Sequence, residues 1–110
     1  MTKRELINLL KELDIPINEG IQNDKDNNTF PRIVFWEYVW SPIVASNTEY
    51  NTTVTYQISF FSNKPRDEKL IKLKNLLNKK HLYPTIEHEY VKENKMFHSF
   101  FPVEVIEKIE

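Results

Sequence analysis

The chain has 110 residues, 40% hydrophobic and 28% charged, which fits one domain around one core with the composition of an ordinary soluble globule. Its net charge of −1 lacks the basic surplus that general phosphate-backbone binding needs. Without cysteine there is no disulfide, thiolate nucleophile or cysteine-ligated zinc; one glycine (Gly20) makes no Gly-rich phosphate loop; and no apolar run nears the ~18 residues of a membrane span.

Thr2 to Leu13 is expected to be a helix. Thr2 and Glu5 have the spacing of a capping box, and Leu6, Leu9, Leu10 and Leu13 recur at i, i+3, i+4 and i+7 as one apolar stripe. This start is polar and periodic, unlike a secretory signal. Pro16 ends the helix by pushing the preceding residue out of helical geometry. Asn18–Thr29 is polar and aperiodic: a solvated loop, or a surface that orders only against a partner.

Pro31 leads into Arg32–Trp40, RIVFWEYVW, a strand apolar on both faces. Ile33, Phe35 and Val39 occupy one face, and Val34, Trp36, Tyr38 and Trp40 the other. Two readings stand: an exposed aromatic patch that marks an interaction surface, or a central strand whose second face is covered by Asn18–Thr29. Ser41–Thr48 is a turn-rich connection, longer than a tight hairpin loop, with Ile43 and Val44 exposed at its tip.

The clearest strand is Tyr50–Phe61, YNTTVTYQISFF. Tyr50, Thr52, Val54, Tyr56, Ile58 and Phe60 alternate with polar residues, so one face is buried and the other wet, as in an antiparallel sheet. After Ser62–Arg66, Pro65, Asp67 and Glu68 suit the first turn of a second helix running to about Lys80, with Leu70, Leu73 and Leu77 as its stripe and Leu76 flanking. Its lysines fit a solvated face with cations at the negative helix end; the competing reading is a basic helix for nucleic acid.

Thr85–Val91 and Lys95–Phe101 flank Lys92–Asn94 as a hairpin. Pro102 places the second arm at an edge or a bulge, with Val103, Val105 and Ile106 in a short terminal strand or turn. The expected fold is therefore α+β: one antiparallel sheet of about four strands, two helices on one face, in the order α-β-β-α-β-β.

His88 and His98 sit on the two hairpin arms, near enough across a pair for a metal site, although surface pairing explains them as well. Phe97, Phe100 and Phe101 with His98, Lys92 and Lys95 imitate an RNA-stacking platform, but the aromatic-and-glycine motif of such sheets is missing and core packing accounts for them. No serine elbow, cysteine or paired-carboxylate spacing stands out, so no catalytic, cofactor or metal residue is assigned and the chain is expected not to be an enzyme.

In order, these pieces resemble the tail-completion or tail-terminator proteins of long-tailed bacteriophages and prophages. The likeness rests on the proline-led strand Pro31-Arg32-Ile33-Val34-Phe35 and on Ala45-Ser46-Asn47 between the first two strands. It also rests on Tyr56-Gln57-Ile58-Ser59-Phe60-Phe61 and on Phe97-His98-Ser99-Phe100-Phe101 in the last strand. Ser46 and Ser59 stand where that pattern has aspartates. The resemblance implies a non-enzymatic virion protein, assembled in the host cytoplasm, that forms a ring of usually six copies at the head-proximal end of the tail tube. There it stops tube growth and docks to the head connector, with itself, the tube protein and the head-completion protein as partners and with no cofactor, nucleic acid or membrane. Trp36, Tyr38, Trp40, Ile43 and Val44 are the expected interface residues, because the strand is apolar on both faces and lies beside the two loops Asn18–Thr29 and Ser41–Thr48; a heterologous contact that closes by rotation makes a ring. Alternatives are another head–tail connector or minor tail component, an RNA-binding module using the hairpin aromatics, and a metal-dependent enzyme at His88 and His98.

Overall fold

Thr2 caps the first helix as its sequence requires: the Glu5 amide donates to Thr2 Oγ1 at 3.2 Å, and the Thr2 hydroxyl reaches the Glu5 carboxylate at 3.3 Å. In the computed structural model, which describes residues 1–20, 29–45 and 48–109, this helix is α1 (Lys3–Lys11). The other elements are β1 (Ile17–Glu19), β2 (Arg32–Ala45), β3 (Thr48–Ser62), α2 (Glu68–Lys79), β4 (Glu87–Val91) and β5 (Met96–Glu107). The fold is α+β with a single sheet, in the order β1-β2-β3-β5-β4, and both helices pack on one face.

The sheet has five strands rather than four, and it is mixed, because β1 pairs with β2 in parallel. Three residues are too few to show a period. Their pairing comes from position: the Ile33 amide donates to the Pro16 carbonyl at 2.9 Å, and the Gly20 amide to the Phe35 carbonyl at 2.8 Å. β1 takes Asn18 and Glu19 from the expected loop Asn18–Thr29; most of the remainder, residues 21–28, lies outside the described residues.

β3 carries the core. Val54, Tyr56, Ile58 and Phe60 are fully buried beneath Leu6, Leu9, Leu10 and Leu13 and beneath Leu70, Leu73 and Leu77. Ile33 and Phe35 join them from β2, and Phe101, Val103 and Val105 from β5. Each such side chain contributes about 1.5–3 kcal/mol on leaving water. Leu13 keeps its place in the stripe although α1 ends at Lys11. Lys72 ties the helices together by donating to the Glu12 carbonyl at 2.8 Å, and Lys3 pairs with Glu19 of β1 at 2.8 Å. α2 starts later than Pro65: Asp67 is its N-cap and accepts from the Lys69 amide at 2.9 Å.

Two strands run further than expected, each through a proline. β2 continues past Trp40 to Ala45, which pairs with Thr48, so Ser41–Ala45 is strand rather than turn; residues 46–47 lie outside the described residues. β5 continues past Phe101 to Glu107 with Pro102 opposite Gln57. There β5 is an edge, since β4 pairs with it only up to Phe100. Ile106, at the same parity as Pro102, donates its amide away from β3, to the Met1 carbonyl at 3.1 Å. The N–H that Pro102 lacks therefore pointed at no partner strand.

Candidate functional site

The β2–β3 hairpin forms an arm that outruns the helices, within a molecule 51 Å long and 29 Å by 22 Å across. On its β2 side the pairing with β1 ends at Phe35, and among the described residues no strand pairs with the outer edge beyond it. Tyr38 (64% exposed), Trp40 (56%), Val44 (62%), Val39 and Ile43 all lie there in contact with solvent. Trp36 is half-buried.

These side chains do not share one face, as strict alternation required. A bulge between Glu37 and Val39 adds a residue to β2. Before it Trp36 pairs with Gln57, on the face away from the helices; after it Trp40 pairs with Val54, on the helix side. Trp36 and Trp40 are thus on opposite faces and Tyr38 is at the bulge itself. Glu37 and Trp40 come onto the same side, and Trp40 Nε1 donates to Glu37 Oε2 at 3.1 Å.

The bulge also sets which backbone groups face outward. Ile33 and Phe35 turn theirs to β1, so Arg32, Val34 and Trp36 turn theirs to β3. With one residue added, Val39, Ser41 and Ile43 face β3, whereas Trp40 and Pro42 face the open edge. Pro42 has no N–H to offer there. Such an edge is blunted against strand addition, and contact with it falls to the side chains.

The face away from the helices holds a polar and aromatic cluster that sequence spacing did not signal. The Arg32 guanidinium lies between the Phe30 and Phe61 rings, 4.8 and 4.7 Å from their centroids, and donates to the Thr29 carbonyl at 3.1 Å. The His98 ring stacks on Phe61 at 4.7 Å and leans on Phe100 at 4.8 Å. Its Nδ1 meets Glu89 Oε1 and its Nε2 meets Ser59 Oγ, both at 2.8 Å. Carboxylate, imidazole and hydroxyl in this order reproduce the connectivity of a hydrolytic triad. The rest of the machinery does not follow. Ser59 is fully buried mid-strand, and the imidazole is held between two phenyl rings. A substrate carbonyl has no route to the hydroxyl, so the network reads as a cross-strand tie between β3, β5 and β4.

His88 is on the other face. It pairs with Ser99, and its Nδ1 lies 2.7 Å from Ser99 Oγ. The two histidines expected to approach one another are separated by the sheet, and no group of three metal-ligating side chains occurs among the described residues. The aromatic platform divides in the same way: Phe101 is core and Phe97 packs on Tyr90 on the helix side, whereas His98 and Phe100 face away. Beside His88, between α2 and β4, lies an open groove of about 500 Å³.

Tyr56 is a core residue with a strongly shifted acid. Its hydroxyl donates to Glu107 Oε2 at 3.3 Å, and its pKa is pushed up to about 12 by burial first and by the Glu107 charge second. Lys3, above the ring at 5.7 Å, is itself raised, chiefly by its bond to Glu19. No helix among the described residues is long and apolar enough to cross a membrane. No protein-family model matches the chain, and no curated protein does.

Proposed function

We propose that this chain is a non-enzymatic, ring-forming subunit that caps the head-proximal end of a long-tailed phage tail tube, stops its growth and offers the head connector a docking surface. The observation that carries the reading is the arm: Tyr38, Val39, Trp40, Ile43 and Val44 stand in water together on one stretch of β2. Large apolar side chains clustered on a projecting strand are characteristic of assembly surfaces. The sequence resemblance says what is assembled, and net charge near zero keeps repulsion between copies small. In the tail, the subunit would meet copies of itself laterally, the tube protein on one side and the head-completion protein on the other.

Polymerising tail-tube protein is the test. Added at the start of polymerisation, the chain should shorten the tubes, and added late it should halt elongation and appear as a ring at one end by electron microscopy. Tubes that grow to the same length in the presence of excess chain overturn the reading.

A further inference from the structure

The groove between α2 and β4 has no role in the fold so far described. Leu70 and Ile71 from α2, with Pro84 and Ile86 before β4, give it an apolar floor, and Arg66, Lys74 and His88 stand around it. No carboxylate lines it, and neither Arg66 nor Lys74 is in an ion pair with a carboxylate among the described residues. Ile71 is half-exposed, and the volume lies within the roughly 300–1,000 Å³ of sites that enclose a ligand-sized group. The groove is therefore built for an apolar group that carries a negative charge beside it.

The arm presents such a group. On the helix side of the sheet, Trp40 lies against Glu37, its Nε1–H bonded to the carboxylate. The two features sit on the same side of the sheet but at opposite edges, the arm on β2 and the groove against β4. An arm cannot enter the groove of its own chain across three intervening strand pairings. Trp40 lies at the height of Val54 and His88 at that of Phe60, six β3 residues or about 20 Å apart, so two copies in the same sense bring the arm of one to the groove of the next when they are offset by that much along the strands.

We propose that the groove receives the Glu37–Trp40 face of a neighbouring copy, the indole over Leu70 and Ile71 and the carboxylate toward Arg66 and Lys74. The contact is heterologous: each copy uses a different surface on its two sides, and the series closes into a ring when the rotation between copies allows. This rests on the self-assembly reading above and names the surfaces that carry it.

The absence of cysteine gives a clean background for crosslinking. Trp40→Cys and Ile71→Cys alter exposed side chains. Under mild oxidation each alone should stay monomeric, and a mixture should give the mixed disulfide dimer in at least tenfold excess over either homodimer, on the order expected when one pairing is strongly favoured. In the cysteine-free background, Glu37→Lys should weaken sedimenting self-association about tenfold, and Lys74→Glu added to it should restore most of the loss. Trp40→Cys homodimers in excess would mean arm-on-arm contact and overturn the proposal, as would equal yields of all dimers or self-association that Glu37→Lys leaves unchanged. If Lys74→Glu still caps tubes like the unaltered chain, this contact is wrong and the capping reading stands. If the mixed dimer forms but tubes keep growing, the contact stands and the capping reading fails.

Discussion

Replacing Trp40 by alanine separates what this side chain does for its own fold from what it does between copies. A tryptophan offers about 150–250 Å² for burial, and at 56% exposure the larger part is still wet in the single chain. Covering that remainder, about 80–140 Å², is worth about 2–3.5 kcal/mol at ~25 cal/mol per Å². Association should accordingly weaken by roughly 30- to 300-fold. The covered remainder rests on the arm and is tied to Glu37. Alanine keeps part of it, so folding should lose about 1–2 kcal/mol, a fall in Tm of roughly 5–10 °C. Sedimentation equilibrium measures the first effect and urea unfolding the second, with Trp36 left as the fluorescent reporter. Association unchanged within about threefold, beside a measurable loss of stability, would show that Trp40 merely packs on its own arm and would remove the area argument for assembly.

The other expected outcomes concern the interior. Leu73→Ala empties a fully buried site where α2 meets the sheet, and should cost about 2–5 kcal/mol in urea unfolding. Ser59→Ala removes the partner of His98 Nε2, and should cost about 1–3 kcal/mol while leaving tube capping intact; a capping defect without a stability loss would return that network to the functional site. The raised Tyr56 pKa stabilises the fold fully below pH ~10, the ordinary phenol value, and this is lost as pH climbs through about 12. Up to about 3 kcal/mol is involved, and Tyr56→Phe should unfold with a flatter alkaline limb and lack the latest tyrosinate step in an absorbance titration.

Elements with a repeated period were open to reading from the sequence. The alternation from Thr52 to Phe60 located the core strand and its buried face, and the leucine spacings located both helices and the side that they cover. Thr2 and Glu5 placed the first cap. What escaped has no period. β1 is three residues that pair because Pro16 and Gly20 bracket them at the right height. The bulge after Glu37 is a single extra residue in a strand that is apolar on both sides, so no side chain in the wrong environment betrays it, yet it carries Trp40 to the opposite face from Trp36. Pro102 marked an edge, as found, whereas Pro42 fell in an expected turn-rich connection, because the sequence does not show on which side the missing N–H falls. The Glu89–His98–Ser59 tie joins three strands over separations of 9 and 39 residues, which only the sheet order brings together. The basic, apolar-floored groove arises in the same way, from packing α2 on β4.

Pro42 bears on why copies of such a chain would close a ring rather than run on as a fibre. Among the described residues no strand covers the β2 edge past Phe35, and a second strand added there would continue the sheet from copy to copy, carrying its twist into an open filament. Pro42 removes a donor in the middle of that edge, and the bulge at Glu37 bends it. Contact through Trp40 and Glu37 is different. It lies on the helix side of the sheet, off the strand edge, and a heterologous contact there makes a ring when the rotation it repeats closes without a rise. Restoring the donor with Pro42→Thr should therefore shift the products toward fibres: the outward N–H returns, and threonine favours the extended backbone. Electron microscopy and light scattering at raised concentration are the readouts. If Pro42→Thr yields only the discrete particles of the unaltered chain, the proline is not what keeps this edge from extending, and closure must come from the groove contact alone.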